Sequence, residues 1–525
     1  MAPPLARAVL LLALCATIGG CRSDGTAGDR LPRSERIAVL FPEAIRGPLD
    51  PRLNTRAWTG KVVQLMYEGV VSVHNAAMEP RPALAERIDQ PSPTVYEITL
   101  RADARFHDGA PVTADDLEAT YRSVVDPQLK SPFRGLYARV QQMQVLGPRR
   151  LRITLDAPHA PFISDLSLGI VPAKHIGPDG QLTAPVGAGP YAFHARDGER
   201  EVVLERSAHA SRGQPRTRYL VFRTVRDENT RLLALMGGDA DLVQNAVTPR
   251  LVDAVRDRPD IEVRGVPGVG YNYLAFNLRD PILGRLEVRR AIAHAIDRDR
   301  LIEHKFRGVA SPSSGMLASN HWAHAADVPR YGFDREKARA LLDAAGYPDP
   351  PGDAPRFELN FKTSTDKFRR NLVRLMADDL QAVGIAVDVQ GFELGTLLSD
   401  AKSGNFQLYT LQWPDPGEPH FYNWLFHSSR IPTPDAPNRG GNRGAYVNPR
   451  VDALIDQGKV TTDRTARAEV YRELQRILQT ELPYLSLWHE DVVVVFRAGL
   501  EGYTPLPNAS LFGLWKAGWA AQATP

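Results

Sequence analysis

In residues 369–392, RRNLVRLMADDLQAVGIAVDVQGF, an amphipathic helix meets a strand across a single glycine. Gly384 suits the left-handed residue that follows a helix, because glycine pays no Cβ penalty there. The motif recurs. DREKARALLDAAGY begins at Asp334 as an N-cap and stops at Gly346. ARAEVYRELQRILQTELPYLSLW reads as a long helix halted before Pro483 and running into a strand. EVRRAIAHAIDRDRLIEH (287–304) reads as one helix with Val288, Ala291, Ile292, Ala295 and Ile296 on its apolar face. Earlier, VYEITLR alternates Tyr96, Ile98 and Leu100 with polar positions, and LRITL, EVVLER, RYLVFRTV and VVVVF also read as strands. A turn at Asp108-Gly109 leads to a helix that Thr113 caps, with Asp116 in capping-box spacing. Helices and strands must therefore share layers in a mixed α/β chain. No period of 20–50 residues repeats, which disfavours solenoids and propellers.

A chain of 525 residues is too long for one simple core, so two or three domains are expected. The formal charge is only +3 and the basic residues are scattered, which excludes the massed basic face of a nucleic-acid binder. At the start, Arg7, the apolar AVLLLALCATI and the small residues before Cys21 read as a signal segment over 1–20. The apolar stretch is too short for a permanent membrane span. IGGC (18–21) resembles a bacterial lipobox, which implies acylation of Cys21, with 21–35 as a flexible tether. Cys15 would leave with the signal segment, so no disulfide forms within the mature chain and core burial must supply its stability.

The stretch QWPDPGEP (412–419) is a loop, because Pro414, Pro416 and Pro419 remove backbone donors and fix φ. It holds Asp415 and Glu418 rigidly beside Trp413, Phe421, Tyr422 and Trp424, rings able to wall a pocket or face a cation. Asp-Pro-Gly is also good turn chemistry, so a capping role for Asp415 stands beside a binding role.

Several stretches then agree in order: LMYEGVVSV, PALAERI, YEITLRADARFHDGAPVTADDLEATYRSV, PVGAGPYAF, RDENTRLLALMGGDADLV, YLAFNLRDPILGRLEVRRAIAHAIDRDRLI, KARALLDAAGY and LPYLSLW. Together they resemble the peptide-type (family 5; dipeptide, oligopeptide and nickel) solute-binding proteins of ABC transporters, over almost all of 35–515. The resemblance implies a type II periplasmic-binding-protein-like clamshell with an inserted domain, three domains in all. Domain I would comprise 36–57, 186–268 and 486–525, domain II would be the insertion 58–185, and domain III would be 269–485. It further implies a lipid-anchored, extracytoplasmic monomer on the cell membrane or the periplasmic face of an outer membrane. Such a protein captures a peptide or peptide-like solute and delivers it to a permease and ATPase, with no enzymatic step and no cofactor. Alternatives are a nickel chelate, opine, glycan or cell-wall fragment as solute, or a surface protein outside transport. Asp415 would pair with the ligand ammonium, although only Pro414 separates it from Trp413 where the family pattern has two residues. Trp413, Glu418, Phe421 and Tyr422 would line the site. An arginine that grips the ligand carboxylate in dipeptide binders is replaced by Thr363, with Lys362 or Lys367 as substitutes that lack the bidentate fork.

Other motifs carry less. FHDG (106–109) has no activated nucleophile for a catalytic reading, and His304, His321 and His324 have no neighbouring carboxylate or Cys at helical ligand spacing. GVPGVG (265–270) reads as a flexible crossing into domain III, and VGAGPY (186–191) as a close turn near the hinge. NRGGNRGAY (438–446) reads as an exposed basic loop from which Asn442 and Arg443 could reach a ligand.

Overall fold

The computed structural model describes residues 26–520; the signal segment, Cys21 and the first part of the tether lie outside the described residues. The rest of the expected tether packs against the protein rather than hanging free. Glu201 is 2% exposed, and a buried carboxylate needs donors. It takes them from Gly28 N–H (2.8 Å), Thr26 Oγ1 (2.7 Å) and Arg223 Nε (2.7 Å).

One sheet of eleven strands runs through most of the molecule. From one edge its path is Ile385–Phe392, Phe357–Ser364, Leu408–Trp413, Ile261–Phe276, Tyr484–Arg497, Leu242–Gln244, Arg36–Phe41, Tyr219–Thr224, Glu201–Arg206 and Tyr191–Asp197, with Ala310–Pro312 added on Tyr484–Arg497. The helix Lys367–Gln381 joins two parallel strands, Phe357–Ser364 and Ile385–Phe392, so the opening motif is a βαβ unit. Gly384 stands at φ +88° and Gly346 at +83°, as helix ends require. A separate four-stranded antiparallel sheet, Ala85–Ser92, Val95–Leu100, Arg150–Leu155 and Val140–Gly147, has its own core around Tyr96, Ile98, Leu117 and Ile153.

Two strands unite the halves of the large sheet. Residues 261–266 of one pair with 492–497 of the other beside Leu242–Gln244, and residues 270–275 pair with 484–490 beside Leu408–Trp413. The register shifts between Val266 and Gly270, inside the expected flexible crossing. That segment is strand, not coil, because pairing continues on both sides of the irregularity. A Cβ on Gly268 would lie 2.0 Å from the Glu490 carbonyl oxygen, so only glycine fits the crossing. Positions 268–269 and 485–486, where domains I and III were expected to meet, thus fall within strands common to both. Separate cores flank them: one around Val39, Phe222 and Phe496, and two more around Ile292 and Phe361 and around Tyr409 and Leu454.

The helix expected over 287–304 is broken. Leu286–Ala295 ends at Ile296, and Asp297 caps a new turn by accepting from Arg300 N–H at 3.0 Å. An aspartate that offers this cap competes with helix continuation, although the apolar periodicity runs straight through it.

Candidate functional site

Strand Leu408–Trp413 pairs with Tyr271–Phe276 on one side and with Phe361 and Lys362 on the other. Pro414 stops it, and the helix Phe421–Phe426 begins after Pro419. Trp413 fixes the base of the intervening loop. Its ring meets Phe421 edge-on at 5.1 Å and lies parallel to Tyr273 at 6.4 Å. His321 supports the middle through a 3.0 Å contact between Nε2 and the Gly417 carbonyl. Tyr422 is buried, facing Tyr471 at 6.1 Å in the core beneath.

The two carboxylates of the loop meet residues far away in sequence. Asn508 Nδ2 donates to Asp415 Oδ2 at 3.4 Å, and Lys61, on helix Ala57–Met66, is the nearby cation. The Asp415 side chain keeps contact with water, yet protein surrounds it at longer range. That crowding raises its pKa to about 6, against the opposing pull of Asn508, Lys61 and the Gly417 N–H. Lys61 is lowered to about 8 by burial, which Asp415 partly counters, and its Nζ donates to the Ala509 carbonyl.

Glu418 accepts from Arg467 and, at 3.4 Å, from Ser164 Oγ on the short helix Phe162–Asp165. The neighbouring Asp165 is pushed up to about 8 by burial and by the Glu418 charge. His159 and His420, edge to face at 5.8 Å, are held down at about 4 and about 3 by burial. A backbone bond from Ala160 N–H to the Lys459 carbonyl, 2.8 Å, closes the same contact. Beside it lies a cavity of about 330 Å³ lined by Gln64, Tyr67, Glu68, His74, Asp165 and Glu418.

The loop therefore gathers Trp413, Asp415, Glu418 and Phe421. Lys362 and Thr363 lie in the next strand; Ser364, which follows them, lines a second cavity. Lys362 is 6% exposed and its Nζ pairs with Asp400 Oδ2 at 2.7 Å; Thr363 is fully buried with Oγ1 unpartnered. The stretch 438–446 differs from the exposed loop expected of its glycines. Asn442 is 1% and Arg443 6% exposed, and Asn442 bonds both backbone groups of Tyr446, at 2.8 and 2.9 Å. Lys61 and Asn508 were not singled out in the sequence, where no local pattern ties them to Asp415. His107 of FHDG clamps the VGAGPY turn, meeting the Gly189 carbonyl and the Gly187 N–H at 3.1 Å each. Among the described residues no group of three or more His, Cys, Asp or Glu is arranged to hold a metal ion.

Against known proteins, residues 79–433 match the family described as "Bacterial extracellular solute-binding proteins, family 5 Middle". The chain belongs to this family. Among family 5 relatives, a protein of Pseudomonas aeruginosa named "Probable di/tripeptide-binding protein 5" is 28% identical, with 81% of this chain and 85% of that protein covered. "Di/tripeptide-binding protein 2" of the same species is 26% identical, covering 92% and 95%. The solved NikA from Brucella suis, in complex with Fe(III)-EDTA, superposes with a TM-score of 0.83 at 24% identity, over 92% of this chain and 99% of that one. This family 5 chain accordingly has the type II periplasmic-binding-protein fold and is a solute-binding protein of an ABC importer.

Proposed function

We propose that this protein captures a peptide or peptide-like solute between its lobes, with Asp415 as anchor for the solute ammonium, and hands it to its permease and ATPase. The observation that carries this reading is a carboxylate on a proline-braced loop that meets Asn508 and has Lys61 nearby, both far away in sequence. Prolines lower the entropy lost when the contact forms, and the ring of Trp413 pins the base of the loop. A cation shut into the cleft needs such a partner, because an unpaired buried charge is costly. Two relatives named for di- and tripeptides support this class of solute. In this reading the lobes are 36–57 with 186–268 and 486–525, carrying the insertion 58–185, against 269–485; the chain performs no covalent step, works as a monomer, and is tethered outside the cytoplasm through Cys21.

Calorimetry with free-amine and N-acetylated tripeptides tests the anchor. Acetylation, which removes the ammonium, and Asp415→Asn should each weaken binding by about 1.5–3 kcal/mol, the usual worth of a charge-assisted contact. Equal affinity for both peptide forms, or binding of iron and nickel chelates alone, contradicts the proposal.

A further inference from the structure

Arg443 is a buried guanidinium without an acid. It is 6% exposed, its Nε and Nη1 have no hydrogen-bond partner, its polar neighbours are the phenols of Tyr409, Tyr273 and Tyr484, and no carboxylate pairs with it among the described residues. Its charge lies 5.7 Å from the Trp413 ring centre. Beside it opens a cavity of about 730 Å³ at the carboxyl ends of strands Phe357–Ser364 and Leu408–Trp413, behind the Asp415 loop. The ends of parallel strands are where α/β sheets bind ligands. Other residues lining the same space also carry buried, unpartnered polar atoms: the Tyr273 hydroxyl, Trp413 Nε1 and Ser364 Oγ. An indole and a guanidinium can only donate, and the two hydroxyls can donate as well. The acids on the wall are already engaged, since Asp366 accepts from Arg369 N–H at 2.8 Å and Glu393 from Gly395 N–H at 2.6 Å, each capping a helix. The acceptors near Arg443 are neutral phenols, and a buried cation calls for an anionic one.

We propose that Arg443 is a specificity-determining residue that pairs with a carboxylate of the solute seated behind Trp413. This rests on the peptide reading above and adds the second charge that the solute must carry. Lys362, the cation expected to grip a carboxylate, is paired with Asp400, whereas Arg443 has both the free valence and the bidentate fork. The carboxylate could be the peptide C-terminus or an acidic side chain.

The test is retention on the purified protein, read by mass spectrometry, of three pools of free-amine tripeptides. The first has neutral side chains and a free C-terminus, the second is the same pool amidated, and the third is amidated with one glutamate. The expected result is at least about tenfold more retention of the first or third pool than of the second, a contact worth about 1.4 kcal/mol or more. The pool retained identifies the source of the carboxylate. Arg443→Met should remove the difference and Arg443→Lys should keep part of it. The wild-type comparison stands even where a variant fails to fold. Equal retention of the amidated neutral pool overturns the Arg443 proposal. If that pool is nonetheless lost on N-acetylation, the ammonium anchor survives alone; retention of no pool overturns both.

Discussion

Asp415 is a carboxylate whose proton is held unusually tightly for its type, and that gives ligand capture a pH signature. With a pKa of about 6 in place of 3.8, it loses its charge well within the mildly acidic range. Only the charged form attracts an ammonium, so affinity for a free-amine peptide should fall as pH drops through about 6. Asp415→Asn should bind weakly and without that slope, which calorimetry from about pH 5 to 8 would resolve. A slope shared by the variant would assign the effect to another group. At this scale the sequence was partly legible. Proline fixes φ wherever it stands, so the loop and its acid could be read from eight residues. The partners could not, because Lys61 and Asn508 reach Asp415 only after the chain has folded back across the cleft. Arg443 was misread for a related reason. The glycines around it suggest a solvated loop, but packing against Trp413 and Tyr273 is decided by distant strands.

Elements whose ends depend on a single residue were legible. Asp116 accepts from Thr113 N–H and Oγ1 at 2.9 and 2.7 Å, and Asp334 caps Lys337 N–H at 2.9 Å, both as their spacing predicts. Elements shaped by tertiary contact were not, as the broken helix at Ile296 and the continuous strands through Gly268 attest. The short helix Phe162–Asp165 belongs to that second group, and it carries a consequence for stability. Asp165 titrates at about 8 in the folded chain, above the ordinary 3.8, because burial and Glu418 oppose its charge. The folded state thus binds the proton more tightly than the unfolded chain does. Its stabilising contribution is full below about 3.8 and is lost as pH rises through about 8. Thermal melting should show a drop in stability across that window that Asp165→Asn lacks. An identical decline across the same window in the variant would refute the assignment.

At the scale of the molecule, two strands run through both halves of the large sheet, and polar contacts join the segments around the Asp415 loop to distant parts of the chain: Glu418 with Ser164, Ala160 with Lys459, Arg464 with Glu79 and Asn508 with Asp415. Interfaces of this kind permit hinge motion, and a solute that touches both sides biases it by differential affinity. The mixed α/β class was legible from helix and strand periodicity, and the fold type from the family resemblance, whereas the route of the strands through the large sheet had to come from their register. The most direct test of capture between lobes is small-angle scattering of the wild-type protein and Asp415→Asn, each with and without saturating free-amine tripeptides. The account predicts that peptide contracts the wild type to the dimensions of the closed form and that the variant requires far more peptide to do the same. An unchanged scattering profile in wild type with peptide demonstrably bound would contradict it.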